Sequence, residues 1–180
     1  NHALSALPFR KNWKDNFFSI PQQNVKSTVN RQICTITSDI VKSSVNPSID
    51  SDFTVFLVSL IGRDNTLKAI KDYHIGVTKN RDVIFYQIDK EGRCRTGKIM
   101  KYNRMTGHRI KDENVGGKIT WVHSILKKSD NPKLRLSDRW ELTQCLFGEH
   151  LLKQYPFKNV AIVESEKTAV ICSSFWSEYI

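Results

Sequence analysis

Cysteine is scarce in this sequence, and its spacing excludes two common architectures. The four cysteines, Cys34, Cys94, Cys145 and Cys172, lie far apart and form no Cys-x-x-Cys pair. This spacing fits neither a zinc ribbon nor a dense disulfide framework. We therefore expect reduced thiols in a cytoplasmic protein, with Cys145 and Cys172 packed among apolar neighbours.

Long apolar runs are also missing. No segment approaches the ~20 apolar residues that a membrane-spanning helix needs, and the N-terminus lacks the charged and apolar regions of a secretion signal. We expect no membrane partner. Hydrophobic residues make up 39% of the 180 residues, which suits one domain, or one and a half, with a real core.

Acidic residues are the third shortage. The chain has 18 Asp and Glu against 28 Lys and Arg, and its formal net charge is +10. An excess of this size indicates a polyanionic partner, and nucleic acid is favoured over an acidic membrane surface.

The first half of the chain has a helical pattern. Residues 1–30 are predicted to be a partly ordered arm whose aromatic side chains dock on the main body. A short helix is predicted within residues 33–45, and apolar spacing predicts a helix over residues 52–61 that ends at Gly62. A second helix, capped by Asp64 or Asn65, completes a helical hairpin.

An extended pattern follows. Residues 82–88 and 93–102 are predicted to pair across a turn at Gly92, and residues 108–111 to begin a third strand. Together they form an antiparallel meander that is rich in Lys and Arg, with Glu91 as the only acid between Lys90 and Lys111.

The charge of this meander predicts a track for a phosphate backbone. Alternation along the strands places Arg93, Arg95 and Lys101 on one face of the second strand and groups Arg109 with Lys111 on the third. The alternative is a solvated sheet face, but the lack of compensating acids favours nucleic acid. The candidate contacts are Arg93, Arg95, Lys98, Lys101, Arg109, Lys111 and His123.

The remaining segments carry weaker signals. Residues 112–118 are predicted to be a loop, and residues 119–123 an extended segment. His123 lacks a second histidine or cysteine at ligand spacing, so a structural role competes with phosphate contact. After a polar linker at residues 129–138, a helix is predicted over residues 142–155, which Pro156 ends.

The stretch from Val160 to Val170 is the strongest candidate for a chemical site. Its apolar beginning, residues 160–163, predicts a short buried strand, and Glu164 stands at the carboxyl end of that strand, where ligands bind in open α/β sheets. The alternative is that Ser165 only caps a helix and Glu166 is only a favourable acid of the first helical turn.

Several phrases together resemble the Toprim-containing, primase-like proteins of bacterial mobile elements, which are related to the catalytic core of bacterial-type DNA primases. The phrases are Gln87-Ile88-Asp89, Arg95-Thr96-Gly97-Lys98-Ile99-Met100, Thr106-Gly107-His108-Arg109-Ile110-Lys111, Trp121-Val122-His123, Leu146-Phe147-Gly148-Glu149-His150-Leu151-Leu152 and Val163-Glu164-Ser165-Glu166-Lys167-Thr168-Ala169. The hydrophobic segment followed by Glu164-Ser165 resembles the first Toprim motif, with serine in the glycine position, as in type IA topoisomerases.

This resemblance implies a nucleotidyl transferase for primer synthesis in the replication or transfer of a mobile element. Glu164 takes the role of the Toprim glutamate, as general acid or base or as a Mg²⁺ ligand. Glu166 assists it, and Lys167 contacts phosphate. DNA or RNA, with a single-stranded template, is the implied partner, and a replication helicase is a candidate protein partner.

The departures from the family pattern limit the expected activity. Only sixteen residues follow Glu164, no Asp-x-Asp pair is among them, and no zinc ribbon precedes the motifs. We expect a fragment or shortened gene product that binds nucleic acid but does not polymerise alone. The alternatives are a non-catalytic DNA-binding module and a relative of Toprim nucleases or topoisomerases.

The expected fold class is α+β: N-terminal helices, a three-stranded basic antiparallel meander, and a helix-strand-helix unit that begins a Toprim α/β domain. The expected divisions are residues 1–50 for the arm and short helix, 51–137 for the hairpin and basic sheet, and 138–180 for the incomplete Toprim domain.

Overall fold

The computed structural model describes residues 33–46, 48 and 50–180, and it confirms the α+β fold class. The predicted arm of residues 1–30 lies outside the described residues. No helix in the described ranges is long and apolar enough to cross a membrane. The helices are α1 (Ser38–Ser44), α2 (Asp52–Ile61), α3 (Arg63–Asp72), α4 (Val122–Lys127), α5 (Leu151–Gln154) and α6 (Glu166–Phe175), and the strands are β1 (Ile75–Val77), β2 (Val83–Ile88), β3 (Cys94–Met100) and β4 (Thr120–Trp121).

The predicted helical hairpin is α2 followed directly by α3. A capping box begins α2, in which the Ser51 hydroxyl accepts a hydrogen bond from the Thr54 N–H at 3.0 Å and the Thr54 hydroxyl accepts one from the Ser51 N–H at 3.1 Å. Gly62, at φ +79°, ends α2 and is also the N-cap of α3. The predicted cap at Asp64 or Asn65 is therefore wrong.

The four strands form one antiparallel sheet in the order β1-β2-β3-β4. The short strand β4 lies within the extended segment predicted at residues 119–123, whereas β1 was not predicted. The predicted third strand at residues 108–111 is only a single bridge between Tyr102 and Arg109. It goes no further because the chain turns away into a 3₁₀ helix at Glu113–Val115.

Both faces of the sheet are covered, and each has its own apolar core. On one face, Val83 and Phe85 of β2 pack with α2 and α3, and Leu151 and Val170 join the same cluster. On the other face, Ile84, Tyr86 and Ile88 pack against α1 and α4 and against Trp140. Residues on either side of the expected division at 137 and 138 therefore share one core.

The helix predicted over residues 142–155 is much shorter. Only α5 is helical there, because Gly148 adopts a left-handed conformation at φ +83° that breaks the helical backbone. The segment before α5 is instead a loop that docks on the body of the protein. The Phe147 ring stacks on Tyr73 at 5.2 Å, and the His150 N–H donates to the Ile88 carbonyl at 3.2 Å.

The buried strand predicted at residues 160–163 is also wrong. This segment is extended, but its side chains are not enclosed: Ile162 is 85% exposed and Val160 is 57% exposed. Among the described residues its bridge partner is a parallel one, between Asn159 and Tyr179. No second described strand pairs with the segment, and a strand becomes buried only when other elements cover it.

Candidate functional site

A cleft of about 240 Å³ lies beside the Glu164 segment. One wall is the loop of residues 145–149, and the other is residues 160–166 with the start of α6. Gln87 of β2 also lines it, and its side chain accepts a hydrogen bond from Gln144 at 3.4 Å. Most of the lining is apolar, and its polar side chains include those of Gln87, Glu149 and residues 164–166.

Glu164 is exposed at the mouth of this cleft, one residue before the helix cap. The Ser165 hydroxyl accepts a hydrogen bond from the Thr168 N–H at 3.1 Å and so caps α6. The Ser165 cap, which was the alternative to a chemical role for this stretch, is therefore present. It leaves the Glu164 carboxylate exposed beside the positive end of the helix dipole.

Glu166 is held by a cation from the sheet. Lys98 Nζ lies 3.1 and 3.2 Å from the two carboxylate oxygens of Glu166, and both side chains are largely buried. This pair neutralises Lys98, which was predicted to contact phosphate, and Glu166, which was predicted to assist Glu164.

Lys167 contacts the loop that follows β3. Its Nζ donates to the Gly107 carbonyl at 3.1 Å and lies 5.9 Å from the centre of the Tyr102 ring. This contact joins the first turn of α6 to the loop of residues 103–108. The predicted phosphate-binding lysine is thus used within the fold.

Two arginines of the predicted track are drawn to a buried carboxylate. Asp89 is 1% exposed, and its Oδ2 accepts hydrogen bonds from Arg93 Nε at 2.9 Å and Arg95 Nε at 2.8 Å. Burial raises the pKa of Asp89, but hydrogen bonds from the Arg93 backbone and from the Arg95 and Arg93 side chains outweigh it, so the pKa lies below its ordinary value.

The inward position of Arg95 follows from an irregularity in the β2–β3 pairing. The register shifts between Gln87 and Ile88, which pair with Thr96 and Cys94, so Arg95 is the extra residue of a bulge. A bulge breaks strict alternation. Arg95 is 7% exposed and also donates to the Thr143 carbonyl at 3.3 Å, so its guanidinium is bound within the fold, and its contact with phosphate stays a prediction.

The remaining predicted cations differ in whether they contact an acidic side chain among the described residues. Lys101 Nζ donates to the Val115 carbonyl at 3.0 Å and lies 3.9 Å from Asp82. Arg109 and Lys111 make no salt bridge within the described ranges; Arg109 is half-buried and Lys111 is exposed. Arg104 and Lys118 are also exposed on the connection between β3 and β4. They likewise form no ion pair with described residues, and they were not among the predicted contacts.

His123 has a structural environment. It lies in the first turn of α4, not in the extended segment predicted for it. Its Nδ1 is 2.8 Å from the Thr96 hydroxyl, and its ring stacks on Trp140 at 5.3 Å. Burial and then the nearby Lys127 lower the pKa of His123, which favours the neutral ring and disfavours contact with phosphate.

The carboxylates near the cleft do not form a magnesium site by themselves. Across the described part of the chain, no three His, Cys, Asp or Glu side chains converge closely enough to share a metal ion. Magnesium prefers several clustered oxygen ligands, whereas Glu164 belongs to no such cluster of described residues and Glu166 is paired with Lys98. These residues do not fit the metal that the Toprim resemblance implies.

Comparison with known proteins gives one match. The profile of a protein family described as "Domain of unknown function (DUF6371)" matches residues 51–180. Searches of the curated proteins and of the solved structures found no match.

Proposed function

We propose that this chain, which belongs to the family of the domain of unknown function DUF6371, binds single-stranded nucleic acid through the connection between β3 and β4. The observation that carries the proposal is a group of cations there without acidic partners among the described residues. The group, which we call the basic connection, consists of Arg104, Arg109, Lys111 and Lys118.

The four cations of the basic connection form no ion pair with described residues, and they outnumber the two acids of the same connection, Asp112 and Glu113. The cations of β3 and its ends contact Asp89, Glu166 or Asp82, each of which cancels one positive charge. Uncompensated, accessible cations are what a phosphate backbone requires, because binding releases the counterions condensed on the nucleic acid.

The basic connection lies next to the Glu164 segment. Lys167 bonds the Gly107 carbonyl, and Arg109 lies close enough to Tyr102 to lower the pKa of that phenol against the larger, raising effect of burial. A nucleic acid on the basic connection would therefore pass near the start of α6. This proximity supports a site in which binding and chemistry share one region.

The primase-like role remains part of the proposal. The Glu164 segment, α6 and residues 178–180 form a strand-like, helix, strand-like unit whose two extended parts pair in parallel. Such a βαβ arrangement supports the likeness to the beginning of a Toprim domain. In that role Glu164 would act as general acid or base in nucleotidyl transfer.

The first test measures binding of a fluorescent single-stranded oligonucleotide at several salt concentrations. Binding should weaken as salt rises, and Arg104→Ala, Arg109→Ala and Lys111→Ala together should flatten the plot of log affinity against log salt by about 2, at roughly 0.7 per lost phosphate contact. The charge-matched control is Lys42→Ala, Lys71→Ala and Lys153→Ala together, three exposed lysines on α1, α3 and α5. Equal slopes for the triple variant and the control would refute the proposal.

A non-catalytic binding module is the second candidate function, and it is favoured because no three potential metal ligands converge among the described residues. Glu164→Gln separates the two candidates. We expect the 180-residue chain to bind nucleic acid with or without this change and to synthesise no primer with Mg²⁺. Primer synthesis that Glu164→Gln abolishes would favour the enzyme. A cytoplasmic location and a helicase partner remain proposals.

A further inference from the structure

Residues 158–164, which we call the edge segment, have one paired side and one open side. The Ala161 N–H donates to the Ile180 carbonyl at 3.0 Å, and the Asn159 carbonyl accepts from the Ile180 N–H at 3.0 Å. Backbone groups alternate in direction along an extended chain. Those of Val160 and Ile162 therefore point to the other side, where they have no backbone hydrogen bond with any described residue.

The edge segment is apolar where a solvent-facing edge is normally charged. Val160, Ala161, Ile162 and Val163 give a continuous apolar run, which is typical of strands covered on both faces. Instead Ile162 is 85% exposed and Val160 is 57% exposed, and the nearby Phe157 ring is wholly exposed. Open edges of this composition pair with further strands.

The charges of the edge segment identify a second copy of this chain as the partner that fits. Lys158 and Glu164 stand three residues before and three residues after Ala161. In an antiparallel pair with a two-fold axis at Ala161, Lys158 faces Glu164 of the second copy. The same register places Val160 opposite Ile162. The apolar side chains therefore meet in the middle, with one Lys158–Glu164 ion pair at each end.

The hydrogen-bond pattern agrees with this register. In an antiparallel ladder, directly opposed residues alternate between pairs that exchange both N–H···O bonds and pairs that exchange none. Val160 and Ile162 carry the open backbone groups, and the two-fold register makes them the bonded pairs. Ala161, whose N–H is already used, falls in the unbonded pair.

We infer that the edge segment is a self-complementary interface through which two copies of this chain associate as an antiparallel, two-fold symmetric dimer. The inference does not depend on nucleic-acid binding. It has a consequence for the cleft, because Glu164 would face Lys158 of the second copy. Association and any reaction that needs a free Glu164 carboxylate would then compete.

Sedimentation equilibrium of the 180-residue chain tests the inference. We expect reversible association to twice the chain mass of 20.8 kDa. Lys158→Glu alone and Glu164→Lys alone each place like charges at both symmetric pairs, so each should weaken association about tenfold at low salt. The double variant, Lys158→Glu with Glu164→Lys, restores opposite charges and should recover most of the lost affinity.

Lys153→Glu is the matched control, since Lys153 is exposed on α5 and outside the edge segment. Circular dichroism of each variant verifies folding. A chain that stays monomeric up to millimolar concentration would overturn the inference. It would equally fail if a dimer formed but the charge-exchanged double variant were no stronger than the two single variants, because the interface would then lie elsewhere.

Discussion

At the scale of single residues, Asp89 holds two arginine side chains of the β2–β3 hairpin against the protein. Its carboxylate accepts the N–H groups of Glu91 and Arg93 at 3.0 and 2.9 Å, in addition to the two arginine side chains. One buried carboxylate thus closes the turn and neutralises Arg95. Arg95 is the less replaceable partner because it is itself buried.

Replacing Asp89 should cost considerable stability. Asp89→Asn keeps the shape but leaves the Arg95 guanidinium buried without a counter-charge, and we expect the free energy of unfolding to fall by about 3 kcal/mol. Urea denaturation measures this difference. Asp130→Asn, at an exposed aspartate, is the control and should change stability by less than about 0.5 kcal/mol. Similar effects for the two variants would contradict the role given to Asp89.

At the scale of elements, short sequence motifs hold loops in contact with helices. Gly107 is one such point: its φ is +64°, and a Cβ atom there would lie 2.3 Å from the Phe56 ring of α2. The loop of residues 103–108 therefore touches α2 with its backbone, while its Gly107 carbonyl receives Lys167 from α6. The phrase Thr106-Gly107-His108 has a structural explanation independent of function.

Two glycine substitutions separate strain from steric contact. Gly107→Ala should destabilise the protein by more than Gly92→Ala does. Both positions have positive φ, at a cost of about 1–2 kcal/mol for alanine, but nothing lies within 4 Å of a Cβ at Gly92. Thermal and urea unfolding of both variants should show an extra loss of about 1–3 kcal/mol for Gly107→Ala. Equal losses would mean that Phe56 moves aside without cost.

The Leu146-Phe147-Gly148-Glu149-His150 phrase is a second docking element. Glu149 accepts the Lys90 N–H and the Leu146 N–H, each at 3.2 Å, and the His150 Nε2 lies 2.8 Å from the Asp72 carbonyl. These bonds tie the cleft wall to the hairpin turn and to the end of α3. This phrase, one of those on which the resemblance to primase-like proteins rests, therefore builds one wall of the cleft.

At the scale of the whole molecule, two partly buried histidines, His74 and His123, make stability depend on pH. The His74 and His150 rings lie 5.1 Å apart. Burial and then the neighbouring His150 lower the pKa of His74 below its ordinary value of 6.5, and burial also lowers the pKa of His123. At pH values below 6.5 these histidines therefore bind more protons in the unfolded chain than in the folded chain. The free energy of unfolding consequently falls as the pH drops.

This pH dependence can be assigned to His74 by one substitution. We expect the free energy of unfolding to be lower at about pH 5.5 than at about pH 7.5, a window above ordinary carboxyl pKa values. His74→Asn should reduce the difference, because asparagine does not titrate and tolerates the φ of 50° found at this position. His108→Asn, at an exposed histidine, is the control. The assignment fails if both variants keep the wild-type difference.

The sequence by itself determined the features that depend on neighbouring residues. The helical hairpin, β2, β3 and the turn at Gly92 follow from apolar periodicity, from a helix end at Gly62 and from a glycine at φ +82°. The candidate carboxylate, Glu164, was likewise found from a local pattern. Such signals are readable because their physical causes, steric limits and hydrogen bonding within a few residues, lie inside the segment itself.

Only the tertiary structure decided which charges are free and which extended segment becomes a buried strand. The sequence shows a basic stretch with one acid, but folding brings Glu166 to Lys98 from 68 positions away and turns Arg95 onto Asp89 through a bulge. The apolar run at residues 160–163 has strand composition and yet stays exposed, since burial requires a neighbour that local sequence does not specify. Electrostatic pairing and strand burial act through space, so they depend on the assembled fold.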